Sequence, residues 1–392
     1  MKRNTLLFLL ALAGISSLQA GTVATTVASG KNTENSVQVK EKSIYDKIWS
    51  LAQLYKDNNN HILEELNFTG RFQMDFYNVN ADKGDNDYFE IRRFRLGADS
   101  WWADRHLQLK ATVDTSLRTF GADSVFYNRL TDAFAKFVIN DAFNLRIGKF
   151  EPHFGYDRSM SDNLLKTFER TSFDDHVIGG NDYMSGVELS GKVGNWGYVA
   201  SVHSTQVDKE FGSFDGGQAY LASISYDFSK GLGVDKALLV LDYVHADGKN
   251  KETNAFTNYS NGVVTYFDYQ KGKFGLVTQV GYGEGVSGKG DIYHFMLMPT
   301  YMLTDKLEII GRYQLGLSSD DNGLGNKNRQ EKTVGSYTGD TYNAAYVGLN
   351  YYLYGQKLKL MVGEQYADLG GGTGAKAGYG GWTSLVGLRL FW

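Results

Sequence analysis

The chain of 392 residues has no cysteine and only two prolines. Without cysteine there are no disulfides and no thiolate metal sites, which suits an exported bacterial protein. Scarce proline suits a chain built from paired strands, because proline cannot donate to a β-ladder. The formal net charge of -4 gives no overall basic balance for holding nucleic acid. Long hydrophobic runs are also missing. The only one, Leu6–Ile15, is shorter than the roughly 20 residues that span a bilayer as a helix, and nothing similar follows it. A mean hydropathy of -0.35 is too polar for a helical membrane bundle. It still permits a membrane β-barrel, in which only alternate residues face lipid. Seven histidines are scattered along the chain. No G-x-S-x-G elbow or H-E-x-x-H helix accompanies them. Asp320-Asp321-Asn322-Gly323 misses the spacing of an EF-hand loop and reads as a solvated turn. The sequence therefore predicts neither a catalytic residue nor a cofactor or metal site.

The N-terminus reads as an export signal. Lys2 and Arg3 precede the apolar run, and Ser17-Leu18-Gln19-Ala20 provides small residues for cleavage after Ala20. Residues 21–67 are then expected to form a flexible lead and a short amphipathic helix. Ile44, Ile48, Leu51, Ala52 and Tyr55 fall at helical spacing, and Asn58-Asn59-Asn60 ends the pattern.

From Phe68 the period changes to two and stays there through residue 392. With 46 Gly, 26 Tyr and 23 Phe, the chain supplies turn residues and strand formers in quantity. Sixteen segments of roughly ten residues, the length of tilted membrane strands, run from Phe68–Asn78 to Trp382–Trp392. The last has an apolar face of Trp382, Val386, Leu388, Leu390 and Trp392, suited to closing a barrel against the first strand. Short links such as Asn140-Asp141, Gly194-Asn195 and Gly272 alternate with longer ones, of which Glu151–Asp182 and Leu317–Thr341 are the longest. That alternation is expected of an all-β, 16-stranded antiparallel transmembrane barrel with short periplasmic turns. Pro299 is a misfit within a closed sheet, fitting only a bulge or a ladder end. Aromatics gather at both strand ends. Trp101, Trp102, Trp196, Phe228, Tyr269, Tyr301, Tyr354 and Trp392 lie on the turn side. Tyr77, Tyr183, Tyr220, Tyr259, Tyr293, Tyr342, Tyr366 and Trp382 lie on the loop side. Two interfacial girdles are expected from them.

If the apolar parity faces lipid, the other parity lines a lumen. Arg71, Arg93, Arg95, Lys110, Arg118, Lys136 and Arg146 then form a basic strip on the wall of the first five strands. In a narrow wet pore such a strip favours anions. Interleaved acids offer the other outcome, in which lumen charges pair and stiffen the wall. Arg92 breaks the pattern, at a bulge or snorkelling to the interface. The connection after Phe150 is long enough to be functional, and its Phe154, Tyr156, Met160, Leu164, Leu165, Phe168 and Phe173 argue for order. A loop folded into the barrel is expected, with Arg158, Lys166 and Arg170 as its cations among more numerous acids; an external lid is the alternative.

Gly70-Arg71-Phe72-Gln73-Met74-Asp75, Phe89 to Gly97, Leu130-Thr131-Asp132-Ala133, Leu145 to Pro152, Glu169-Arg170 and Gly348 to Leu353 together resemble the phosphate-selective porin O and P family. The resemblance covers about Phe68 to Trp392. It implies a sixteen-stranded trimeric porin of the outer membrane, with an inward third external loop and a basic, anion-selective channel. The constriction lysines of phosphate-selective members have no assignable counterparts in this acidic loop. The expected function is passive diffusion of small anions, with phosphate and polyphosphate among them, and without nucleic acid, in contact with outer-membrane lipid and lipopolysaccharide. Other small hydrophilic solutes are the alternative. A barrel enzyme or structural barrel ranks behind both.

Overall fold

The computed structural model describes residues 43–115, 126–179, 183–207, 210–247, 256, 258–286 and 288–392. The export signal, most of the lead and Arg118 lie outside these residues. Sixteen antiparallel strands close on themselves. They are β1 (Leu63–Ala81), β2 (Gly84–Trp102), β3 (Leu107–Thr115), β4 (Tyr127–Asn140), β5 (Phe143–Phe150), β6 (Met184–Val193), β7 (Trp196–Ser204) and β8 (Gln218–Asp227). They continue as β9 (Lys236–Ala246), β10 (Tyr259–Lys271), β11 (Phe274–Gly285), β12 (Ile292–Met302), β13 (Leu307–Ser318), β14 (Thr341–Tyr354), β15 (Leu358–Gly370) and β16 (Tyr379–Phe391). Each pairs with its sequence neighbour, and β16 pairs with β1 from Phe391–Arg71 to Gly381–Ala81. The last strand thus removes the open edge that a lone C-terminal strand would leave.

Alternation drives the closure. On β9, Leu239, Leu241 and Tyr243 are exposed outward while Val240, Asp242 and Val244 are buried. On β1, Arg71, Gln73 and Asp75 are buried and Phe76 is exposed. The apolar face meets lipid and the polar face meets the lumen. Tight turns close the ends; Gly272, at φ +57°, takes the left-handed conformation of the β10–β11 turn at no steric cost.

The structure corrects three local expectations and decides between two alternatives at a fourth place. Long connections do not occur at every external position, because β1 and β2 are 19 residues each and meet through Asp82-Lys83 alone. The amphipathic pattern of the lead divides. Helix α1 (Ile44–Ser50) is started by a capping box between Ser43 and Asp46, but Tyr55 lies in a short strand, Gln53–Lys56, paired with β1. Of the two places expected for Arg92, a bulge or the interface, it takes the first. It is the extra residue of a bulge, since Gln73 opposes Arg93 and Met74 opposes Ile91. Finally, the loop-side girdle holds only half of the expected residues. Tyr220, Tyr293, Tyr366 and Trp382 are exposed outward, whereas Tyr77, Tyr183, Tyr259 and Tyr342 are buried. On β1 and β14, Tyr77 and Tyr342 share parity with the lumen residues Asp75 and Asn350, so they pack inside. Pro299 sits where two rungs of the β12–β13 ladder are missing, between Leu297–Tyr313 and Thr300–Ile310.

Helix α1 rests on the closing seam at the turn side. Trp49 Nε1 donates to the Phe391 carbonyl (2.7 Å), the Tyr354 hydroxyl donates to Asp46 (2.5 Å), and Tyr45 stacks on Tyr354.

Candidate functional site: two cavities around a loop that crosses the lumen

Residues 151–179 enter the barrel. The backbone N–H of Gly155 donates to Asp242 on β9 (2.8 Å), and that of Tyr156 donates to Gln279 on β11 (2.8 Å). Gly155 has φ +73°, and a Cβ there would lie 2.5 Å from Asp174, so this turn requires glycine twice over. Lys359 on β15 donates to the Leu165 carbonyl (2.6 Å), and Asn350 on β14 to the Lys166 carbonyl (3.0 Å). Arg312 on β13 donates to the Glu169 carbonyl (2.7 Å), and Ser172 N–H to Gln314 on the same strand (3.0 Å). Phe154, Phe173, Val177 and Ile178 pack with inward residues of β8, β9, β10 and β12 in one buried cluster. Space is left for them: a Cβ on Gly281 would meet the Phe173 ring at 2.5 Å, and one on Gly387 the Phe168 ring at 2.7 Å.

The loop's three cations are all paired. Arg158 meets Asp175 (2.8 Å) and Glu151 (3.4 Å), Lys166 meets Glu308 (2.6 Å), and Arg170 meets Glu151 (2.7 Å) and Asp162 (2.5 Å). Most of the wall strip is paired as well. Arg71 and Arg93 meet Asp162 (3.3 and 3.1 Å), and Arg95 meets Asp114 (3.3 Å). Lys110 meets Asp132 (3.3 Å) and Arg146 meets Glu188 (2.5 Å). Among the described residues Lys136 has no ion pair.

A second connection, residues 319–340, also turns inward. Its Glu331 carboxylate is fully buried and accepts from Asn328, Tyr342 of β14 and Gln365 of β15, each at 3.0 Å. Gln330 donates to Glu169 of the first loop (3.1 Å), and Arg329 pairs with Glu90 and Glu169. The two loops are therefore tied to each other as well as to the wall. The sequence reading noted the length of this connection but not its cations. Lys327, Arg329 and Lys332 fall within six residues, and that charge density was the available signal.

Two cavities flank the crossing loop. The upper one, on the loop side, has a volume of 610 Å³. Its wall carries Arg92, Arg93, Arg95 and Arg129; the loops add Arg170, Lys327, Arg329 and Lys332. Among the residues that line it only Asp114, Glu169 and Asp175 are acids, while Arg93, Arg170 and Arg329 have further carboxylate partners, Asp162, Glu151 and Glu90, outside the lining. Among the described residues neither Lys327 nor Lys332 has an ion pair. The lower cavity, of 290 Å³, is balanced: Arg71, Lys110, Arg146 and Arg158 face Asp132, Glu151, Asp162 and Glu188. It shares Ser190 and Val199 with a further opening towards the turn-side mouth.

Burial sets the loop charges apart. Desolvation opposes ionisation of Asp162, but the guanidiniums of Arg170, Arg93, Arg71 and Arg95 outweigh it and hold the carboxyl well below its usual range. Glu169 is likewise desolvated, yet Arg92 and Arg329 bring it down to about 2. Asp174 is pushed up to about 8 by burial and by the nearby Asp157 charge. At neutral pH it keeps its proton, so the loop carries less negative charge than its composition suggests.

No helix among the described residues is long and apolar enough to cross a membrane, and none of their side chains form a metal-binding group. A closed sheet with a lipid-compatible exterior, polar lumen and loop-narrowed bore is the architecture of an outer-membrane porin. The family described as phosphate-selective porin O and P matches residues 66–266, just over half of the chain, and the chain belongs to it. No curated protein matches the sequence. Among solved structures, the fold is similar to OprB of Pseudomonas putida at high pH, with TM-score 0.60 and 13% identity over 83% of this chain and 94% of that one. It is also similar to the anion-selective porin from Comamonas acidovorans (TM-score 0.56, 11% identity, 83% and 99% covered). The outer membrane channel DcaP of Acinetobacter baumannii gives TM-score 0.55 and 13% identity, with 86% and 100% covered. The protein is thus an outer-membrane channel for small solutes.

Proposed function

We propose that the channel passes small anions by passive diffusion, and that oxyanions such as phosphate are among them. The observation that carries this reading is the excess of cations in the upper cavity. Eight Arg and Lys side chains line 610 Å³ against three carboxylates. A like-signed lining in a cleft with low-dielectric walls raises the local concentration of counter-ions and the barrier to co-ions. Guanidinium forks also suit the oxygens of carboxylate and phosphate. The anion-selective porin among the similar structures agrees with the reading, as does the family's description. A homotrimer seated among outer-membrane lipid and lipopolysaccharide is part of the same proposal. The inward segment 151–179 acts as the constriction.

The test is single-channel recording in a planar bilayer under a potassium chloride gradient, with phosphate titrated against chloride. An anion-directed reversal potential with chloride current blocked by low phosphate supports the oxyanion reading. Anion selectivity without block leaves a general anion porin. A reversal potential at zero or of cation sign overturns the proposal in favour of a porin for other hydrophilic solutes.

A further inference from the structure

Four guanidiniums converge on one carboxylate between the two cavities. Asp162 Oδ2 lies 3.3 Å from Arg71, 3.1 Å from Arg93 and 3.9 Å from Arg95, and Oδ1 lies 2.5 Å from Arg170. The carboxylate is 4% exposed and comes from the crossing loop, while three of its partners come from β1 and β2. Among the described residues it is the one carboxylate within ion-pair distance of Arg71 and of Arg93. Arg95 retains Asp114, and Arg170 retains Glu151. Arg93 and Arg95 also line the upper cavity, and Asp162 the lower, so the cluster stands where the two meet.

We infer that Asp162 is a specificity-determining residue that acts as a tethered counter-anion. Its carboxylate occupies, from within the chain, the place among the guanidiniums that a permeating oxyanion would otherwise take. This deepens the anion-channel reading and rests on it. A free carboxylate or phosphate presents the same oxygens to the same forks, so it must compete with a group already in position. The tether keeps the local arginines from trapping a permeant ion, which must leave a binding site as readily as it enters. The acid of the loop therefore sets how tightly anions are held, rather than repelling them outright.

Asp162→Asn tests this in the folded barrel, with folding confirmed by the heat-dependent shift in electrophoretic mobility. Block of chloride current by phosphate is expected at roughly tenfold lower concentration than in the wild type. The reversal potential is expected to move further in the anion direction. Unchanged block and unchanged reversal potential would overturn the inference. Should Asp162→Asn not assemble, Arg71→Gln and Arg93→Gln are added to it, removing the charge that asparagine uncovers. Recovery of the barrel supports an electrostatic role, and continued failure overturns it in favour of a structural one. A wild type without anion preference overturns the anion-channel reading and the inference with it, whereas an anion-selective wild type with an unchanged Asp162→Asn variant overturns the inference alone.

Discussion

The upper and lower cavities are built from the same residue types and differ in how the charges are distributed. Below the crossing loop four cations face four carboxylates. Above it eight cations face three. The chain as a whole is slightly acidic at -4, so the sign of the lumen field is a local property that overall composition does not report. The lower cavity shows what interleaved charge does: it forms pairs such as Lys110–Asp132 and Arg146–Glu188 that fix side chains and cancel at a distance. The upper cavity departs from this pattern because the connection at 319–340 brings in Lys327 and Lys332 without carboxylate partners among the described residues.

The largest expected effect breaks the comparison at its boundary. Arg93→Glu with Arg95→Glu places new carboxylates against Asp162 and Asp114. Leaving buried charges uncompensated costs on the order of 3–5 kcal/mol per broken pair. The thermal unfolding temperature of the purified barrel is expected to fall sharply, and a melting temperature like the wild type's would show that the crossing loop is not held by this cluster. A medium effect concerns the loop that creates the asymmetry. Burial raises the Glu331 carboxyl from an ordinary 4.5 to about 7, against the hydrogen bonds from Tyr342, Asn328 and Gln365. An acid with a raised folded pKa favours the docked loop while protonated. Docking is therefore strongest at low pH and weakens as pH rises from about 4.5 towards 7, by on the order of 3 kcal/mol at most. Glu331→Gln is expected to flatten the dependence of channel gating noise on pH across that window; identical pH profiles would count against the docking argument. The smallest effect sharpens the comparison from below. Lys110→Gln removes a partly buried partner of Asp132, worth about 1 kcal/mol or less, and the reversal potential is expected to stay at the wild-type value.

Much of the barrel was legible because a strand with one face in lipid and one in water writes its environment into every second residue. That period located all sixteen strands and placed Arg71, Asp75, Asp242, Arg312 and Arg389 on the lumen face. The girdle reading failed at Tyr77 and Tyr342 because it sorted tyrosines by strand end and ignored parity, which in both cases pointed inward. The site was less legible. A charge pair leaves no local signature when its partners are far apart in sequence: Arg329 and Glu90 are 239 positions apart, and Gln330 and Glu169 are 161 apart. Nothing in residues 319–340 alone distinguishes a loop that folds inward from one that stays outside. Likewise, the acid-rich composition of residues 151–183 did not show that Asp162 would be spent on wall arginines, or that Asp174 would be buried with its proton.

The central claim is that the upper cavity gives the channel its ionic preference, and Lys327 and Lys332 test it most directly. The measurement is the reversal potential of the Lys327→Glu, Lys332→Glu double variant beside the wild type, under the same potassium chloride gradient. The upper cavity would then hold six cations and five acids, and the potential is predicted to fall from the anion direction to near zero. A double variant as anion-directed as the wild type would contradict the claim.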